Sequence, residues 1–398
     1  YLAPTPSMTV VQLHTDANDG ALNGSFNLPR DSVLRATLGK DSQTPCEYRT
    51  AHPVTLWPLQ VAEAEYISNP SAALGRLAAS EPRAKAALRI TLRSGAEIPF
   101  ASLDLDNLPL YLSGLDELPF RLYEQLLGNR VAVFARQPGR DWVERLPTDA
   151  LRPCGFDDAE AALPVVPQAF QGYRLLQEYF ALPQRFLFVD FCNLRRAVRQ
   201  CSGNELELIV LFDRLDSNLQ NQVDASQFLP FCTPAINLFP RRLDRIHLSD
   251  KVHEHHAIAD RTRPMDFEIH SLRGVTGHGS GPEQTFLPFY AVRDPARYGR
   301  DQAYYIVRRE PRVLSAGQRR NGTRSSYVGS ETFISLVDSH QAPYRHDLRQ
   351  LGLSALCTNR DLPLFMTVGS GKSDFTLADS APVQSVRCVA GPTKPRPA

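Results

Sequence analysis

The sequence predicts an α+β fold dominated by sheet, with at least two β-rich domains and a few short amphipathic helices. Three observations carry that reading. Short β-branched or alternating runs recur between Gly, Pro and Asn along most of the 398 residues. Prolines number 31, above the usual share of about 5%, and they are spread so widely that long helices are excluded. Only two stretches carry a strong helical period.

In chain order, strands are expected at "SMTVVQLH" (Ser7–His14), "GSFNLP" (Gly24–Pro29), within the long run Tyr48–Tyr66, and at "ALRITLR" (Ala87–Arg93). The first helix is expected over Leu115–Asn129. Leu115, Leu118, Leu122 and Leu126 recur at helical spacing, Pro119 suits a first turn, and Gly128 marks the end. "RVAVFARQ" then returns to strand. The looser, acidic stretch Arg152–Gln168 predicts a domain boundary near Leu163, giving domains 1–163 and 164–398.

The second domain opens with the strongest helix, expected over 169–182. Tyr173, Leu175, Leu176, Tyr179, Phe180 and Leu182 share one broad face. Gln171, Arg174, Gln177 and Glu178 lie opposite, with Arg174 and Glu178 at an i,i+4 spacing. Pro183 stops the helix, and "RFLFVDF" reads as a buried strand. Further strands are expected at "ELELIVLFDR", "DFEIHSLRGV", "QTFLPFYAVR", "AYYIVRRE" and "ETFISLVD". The stretches Gly274–Gln284 and Ser315–Ser330 read as mobile loops.

Composition excludes several function classes. A formal net charge of +1 implies no general pull toward nucleic acid or a membrane surface. Only five of the 44 basic residues are lysine, a bias that genomic base composition explains as well as arginine pairing does. The seven cysteines are scattered and never form C-x-x-C, as expected of reduced thiols in the cytoplasm. No cationic leader opens the sequence. The longest uncharged run, Ala225–Pro240, is interrupted by Pro230 and Pro234, so it predicts no membrane insertion.

Six stretches invite a chemical reading. "GSGKS" (Gly369–Ser373) imitates a phosphate-binding loop, and a nucleotide-binding protein using Lys372 is the alternative reading of the chain. That loop needs a glycine at position 366, which is Met366, and a following helix, whereas "DFTLADSAP" has no helical stripe. "HEHH" (His253–His256) would put His253 and His255 on one strand face, but a third zinc ligand at finger spacing is missing. "DLDNLP" (Asp104–Pro109) starts like a calcium loop and then places Leu108 and Pro109 where oxygen and glycine belong. "GHGSG" (Gly277–Gly281) has its serine off the central position of a nucleophile elbow. Arg241–Arg242 and Arg319–Arg320 read as solvated pairs. The expectation is therefore no enzyme, no catalytic residue, no metal and no cofactor.

Four long stretches, "YLAPTPSM" (Tyr1–Met8), "GYRLLQEYFALPQRFLFVDF" (Gly172–Phe191), "CTPAINLFPRR" (Cys232–Arg242) and "CTNRDLP" (Cys357–Pro363), resemble the TssF family of type VI secretion baseplate subunits. "CEYRTAHPVTLWPL" (Cys46–Leu59) and "GPTKPRP" (Gly391–Pro397) follow in the right order, so the resemblance covers essentially the whole chain. It implies a structural role. Two TssF copies join one TssG in a wedge that also meets TssK and TssE, and the assembled ring surrounds the VgrG hub on which tube and sheath grow. It implies a cytoplasmic protein assembled at the inner face of the inner membrane. It also implies a helical region before "YLAP" and a further part after the Pro-rich end, both absent from this sequence. Interfaces of this kind have no short signature, so no residue is assigned to a partner.

Overall fold

The computed structural model describes residues 3–15, 22, 24–37, 44–166, 169–249, 251–289, 303–314, 316–337 and 347–398. Strands dominate, as predicted. Six of them close a barrel in the order Met8–His14, Cys232–Ile236, Glu47–Thr50, Val33–Ala36, Phe375–Leu377 and Ser385–Ala390, the last pairing again with the first. The barrel therefore joins the beginning, middle and end of the sequence.

A five-stranded antiparallel sheet runs Val143–Arg145, Arg130–Arg136, Glu205–Phe212, Ala86–Ser94 and Leu59–Ile67. Its central strand Glu205–Phe212 is apolar almost throughout because both its faces are covered. Leu206, Leu208 and Val210 face the main core. Ile209 and Leu211 face a smaller cluster closed by Leu74 and Leu77 of two short helices, Pro70–Leu74 and Arg76–Ala79. A four-stranded sheet follows the order Leu151–Pro153, Phe188–Phe191, Leu108–Leu112 and Phe228–Pro230.

Residues 239–358 build most of the remaining sheet, eight-stranded and centred on Leu348–Thr358 and Glu268–Gly279. Its core holds Ile269, Val275, Ile334, Leu351, Leu353 and Cys357, separate from the main cluster described above. The hydrophobic clusters thus part near residues 238 and 358. The line expected near Leu163 runs through the first cluster, which contains Leu163. Strand pairing crosses it many times, among others between Leu151–Pro153 and Phe188–Phe191, between Arg130–Arg136 and Glu205–Phe212, and between Met8–His14 and Cys232–Ile236.

Both expected helices form, over Leu118–Gly128 and Gln171–Ala181. Two expected loops differ. Most of Gly274–Gln284 is strand, the end of Glu268–Gly279 and the start of Gln284–Pro288. Its glycines serve close packing: a Cβ at Gly277 would meet the Phe286 ring at 2.9 Å, and one at Gly279 would meet the Asp347 carbonyl oxygen at 2.1 Å. The stretch Ser315–Ser330 carries the helix Ala316–Asn321, with Ser315 itself outside the described residues, as are the last residues of "QTFLPFYAVR".

Candidate partner interface

The sequence-marked loops are occupied with their own structure. In "GSGKS" the Gly369 N–H donates to Asp374 Oδ1 at 2.6 Å, and the Ser373 hydroxyl bonds the Phe375 carbonyl at 2.6 Å. A strand, Phe375–Leu377, follows where a phosphate site requires a helix. The amide that would face a phosphate faces a carboxylate instead. In "HEHH" Glu254 pairs with Arg308, His255 is buried, and His256 stacks on Phe333 with ring centroids 4.9 Å apart. Among the described residues no three His, Cys, Asp or Glu are grouped to hold a metal ion. Asp106 Oδ1 accepts from the Arg195 N–H at 3.2 Å. Arg241 differs from the solvated residue expected: it pairs with Asp260 at 2.6 Å and lies 4.0 Å from the Phe267 ring centroid.

Two buried ionic networks emerge that no motif search identified as sites. One lies at the seam between the two clusters and is built on "CTNRDLP". The Asn359 N–H donates to Asn237 Oδ1 at 2.8 Å, and Asn359 Oδ1 accepts from the Glu47 N–H and from Asn237 Nδ2. Arg360 takes a left-handed backbone, φ 51°, and its side chain turns to the Tyr327 carbonyl at 3.2 Å. Asp361 is fully buried, receives Arg324 through Nε and Nη2 at 3.0 and 2.6 Å, and accepts from the Ser325 hydroxyl at 2.5 Å. Arg324 also reaches Asp266, and Tyr327 donates to Glu268 at 2.7 Å. Burial pushes the Asp361 carboxyl up, but the Arg324 and Ser325 hydrogen bonds and the nearby guanidinium charges outweigh it, so the net shift is downward.

The other network inverts the strongest helix. An apolar stripe ordinarily turns to the core. In Gln171–Ala181 the buried residues are Arg174 and Glu178. Glu178 Oε1 accepts from the backbone N–H groups of Ala162 and Leu163 at 3.1 and 2.9 Å and from Arg174 at 3.3 Å; Oε2 accepts from Arg185. Arg174 reaches on to Asp158 at 2.9 Å, and Arg185 to the Glu160 carbonyl at 2.9 Å. Burial and the charge of Arg174 pull Arg185 down to about 9, which leaves it cationic at neutral pH. The stripe consequently faces outward: Tyr173 is 60% exposed, Leu176 55%, Tyr179 48% and Phe180 66%, with Phe170 at 73% beside them.

His52 sits near this network, buried against the Phe188 ring, and its Nε2 lacks a hydrogen-bond partner. Burial, then the Arg185 charge, pushes the imidazole down to about 3. A group depressed in the folded state binds its proton first in the unfolded chain, so its contribution is full above the unfolded value near 6.5 and is lost as pH falls toward 3. Lowering the pH from 7 to 5 is expected to cost about 2 kcal/mol through His52 alone. Urea unfolding at the two pH values, repeated on His52→Phe, checks this: the variant should lose that share of the pH dependence.

The class that the fold defines is a β-rich body of several sheets with buried ionic networks and an outward-turned apolar helix. Within that class, residues 1–398 match the family described as Type VI secretion system, TssF. The sequence is 73% identical over 396 residues to the type VI secretion system component TssF1 of Pseudomonas aeruginosa strain PAO1, covering all of this chain and 64% of that protein. The chain belongs to the TssF family, and it spans just under two thirds of the length of that curated relative. Its fold is similar to a chain in a TssK-TssF-TssG baseplate subcomplex determined by cryo-electron microscopy, with a TM-score of 0.74 at 24% identity over 99% of this chain and 67% of that one. A chain in a type VI baseplate complex matches with a TM-score of 0.54 at 20% identity over 98% and 63%.

Proposed function

We propose that this stretch is the β-rich body of a structural baseplate subunit of a type VI secretion system, acting through interfaces and not through catalysis. Membership of the TssF family over residues 1–398 carries the reading, and the fold shared with chains of baseplate complexes supports it. In this reading two copies join one TssG in a wedge, TssK and TssE attach to it, and the ring of wedges surrounds the VgrG hub. The assembly stands in the cytoplasm against the inner face of the inner membrane. Among the described residues no helix is long and apolar enough to cross a bilayer. The exposed aromatic helix fits the same picture, since large apolar faces on a folded body mark sites of association.

The test is co-expression of the full-length protein with the TssG-like protein, followed by native mass spectrometry. A species of two copies to one TssG is expected. A protein that purifies as a monomer and ignores TssG would overturn the wedge reading. Nucleotide binding through Lys372 is not favoured by any observation, because Asp374 occupies the amide a phosphate would need.

A further inference from the structure

We propose that the cleft between the Leu108–Leu112 strand and the end of the Ser385–Ala390 strand binds an uncharged amide ligand, an aliphatic group beside a peptide-like N–H and C=O.

An orphaned phenol carries the inference. Tyr111 is 2% exposed, and among the described residues nothing hydrogen-bonds its hydroxyl. Other buried tyrosines are served: Tyr48 shares a hydrogen bond with Ser7 Oγ at 2.8 Å, Tyr66 accepts from the Asp216 N–H at 2.9 Å, and Tyr327 donates to Glu268 at 2.7 Å. A phenol buried this deeply ordinarily has a partner, because leaving it without one forfeits its hydration. Tyr111 lines an open cleft of about 730 Å³, counting the solvent at its mouth, a size that suits a small ligand. The missing partner can therefore come from outside the protein.

A second feature faces the same space. In the ladder with Met8–His14, Val10 pairs with Ala390 and Val11 with Cys388, so Val389 is the extra residue of a bulge. Such a residue is left out of the ladder, and Val389 lines this cleft. Its backbone is thus placed to pair with an incoming amide.

The lining selects the chemistry. Leu182 and Leu187 give it an apolar wall, Ser113 and Gln184 a hydroxyl and a carboxamide. Among the described residues no Asp, Glu, Lys, Arg or His lines it, so a carboxylate, phosphate or ammonium would lose hydration without gaining a counter-charge. A sugar has no aromatic platform, since Tyr111 is the one ring in the lining and its faces are covered. A wholly apolar ligand would leave the phenol as it stands. An amide offers one donor and one acceptor, and an aliphatic neighbour fills the Leu182 side.

Saturation-transfer NMR on the full-length protein tests this with N-acetyl-leucine-N-methylamide as probe. Binding is expected with a dissociation constant on the order of a millimolar, as suits so small a ligand. N-acetyl-leucine, which carries a carboxylate, and glucose should show none. Tyr111→Phe should weaken binding about fivefold while its melting temperature stays level or rises, because the hydroxyl it removes has no partner in the free protein. Ser113→Phe, which fills the cleft, should abolish binding. An uncharged tripeptide amide separates the sources: a tenfold gain marks a stretch of polypeptide and no gain a small molecule, and either upholds the assigned chemistry. No binding of the amide means that water alone serves Tyr111 and overturns the proposal. So does binding that ignores both substitutions, or that is matched by the carboxylate or the sugar. The readout is separate from the two-to-one mass, so either reading can fail alone.

Discussion

Glu178→Ala is expected to destabilise the protein by about 3–5 kcal/mol, the usual cost of removing one partner from a buried ion pair. The side chain is fully buried and serves four donors at once: two backbone N–H groups, Arg174 and Arg185. Without the carboxylate, two buried guanidiniums lie close together with Asp158 as the remaining charge partner of Arg174. Glu178→Gln keeps an acceptor for the Ala162 and Leu163 amides but forfeits the charge, so a smaller loss is expected. The triple variant Arg174→Met, Glu178→Leu, Arg185→Met should recover much of the deficit, since apolar replacement of a whole buried network is often neutral. Urea denaturation of the four proteins gives the comparison. An alanine variant as stable as the parent would mean that the network contributes nothing net.

Asp361→Ala is the second large effect, also about 3–5 kcal/mol, and it acts at a different place. Asp361 ties Arg324, Ser325 and Arg360 together where the two hydrophobic clusters meet. Arg324 belongs to the segment after the Ala316–Asn321 helix and Asp361 to the chain leaving the Leu348–Thr358 strand, so the loss is expected to loosen one cluster from the other. Hydrogen exchange should show it as faster opening at residues 324–330 and 359–363, with the Glu205–Phe212 strand unchanged. The sign with pH is fixed by the lowered Asp361 carboxyl. Its contribution stands in full above the ordinary carboxylate range and is lost as pH falls through that range. The acid losses at Asp361 and His52 therefore add.

Much of this was legible in the sequence. The strands at Met8–His14, Ala86–Ser94 and Glu205–Phe212 and both longer helices stand where the pattern of apolar residues put them. The strand Leu348–Thr358 is not among the expected elements, although Leu351, Leu353, Ala355 and Cys357 alternate with the period of a strand. The Arg174–Glu178 pair was visible as an i,i+4 spacing. Its burial was not, since the third charge, Arg185, and the two amides it needs come from outside the helix.

By itself the sequence determined the β-dominated class and the existence of most elements, both of which rest on local spacing. The tertiary structure decided what local spacing cannot reach: which strands pair across the chain, where the two hydrophobic clusters part, and which face of the Gln171–Ala181 helix points inward. That last choice follows from desolvation. Two arginines and a glutamate that find most of their partners in the interior, Arg185 Nε being the exception, can be buried, and the aromatic stripe is then the side left to face out.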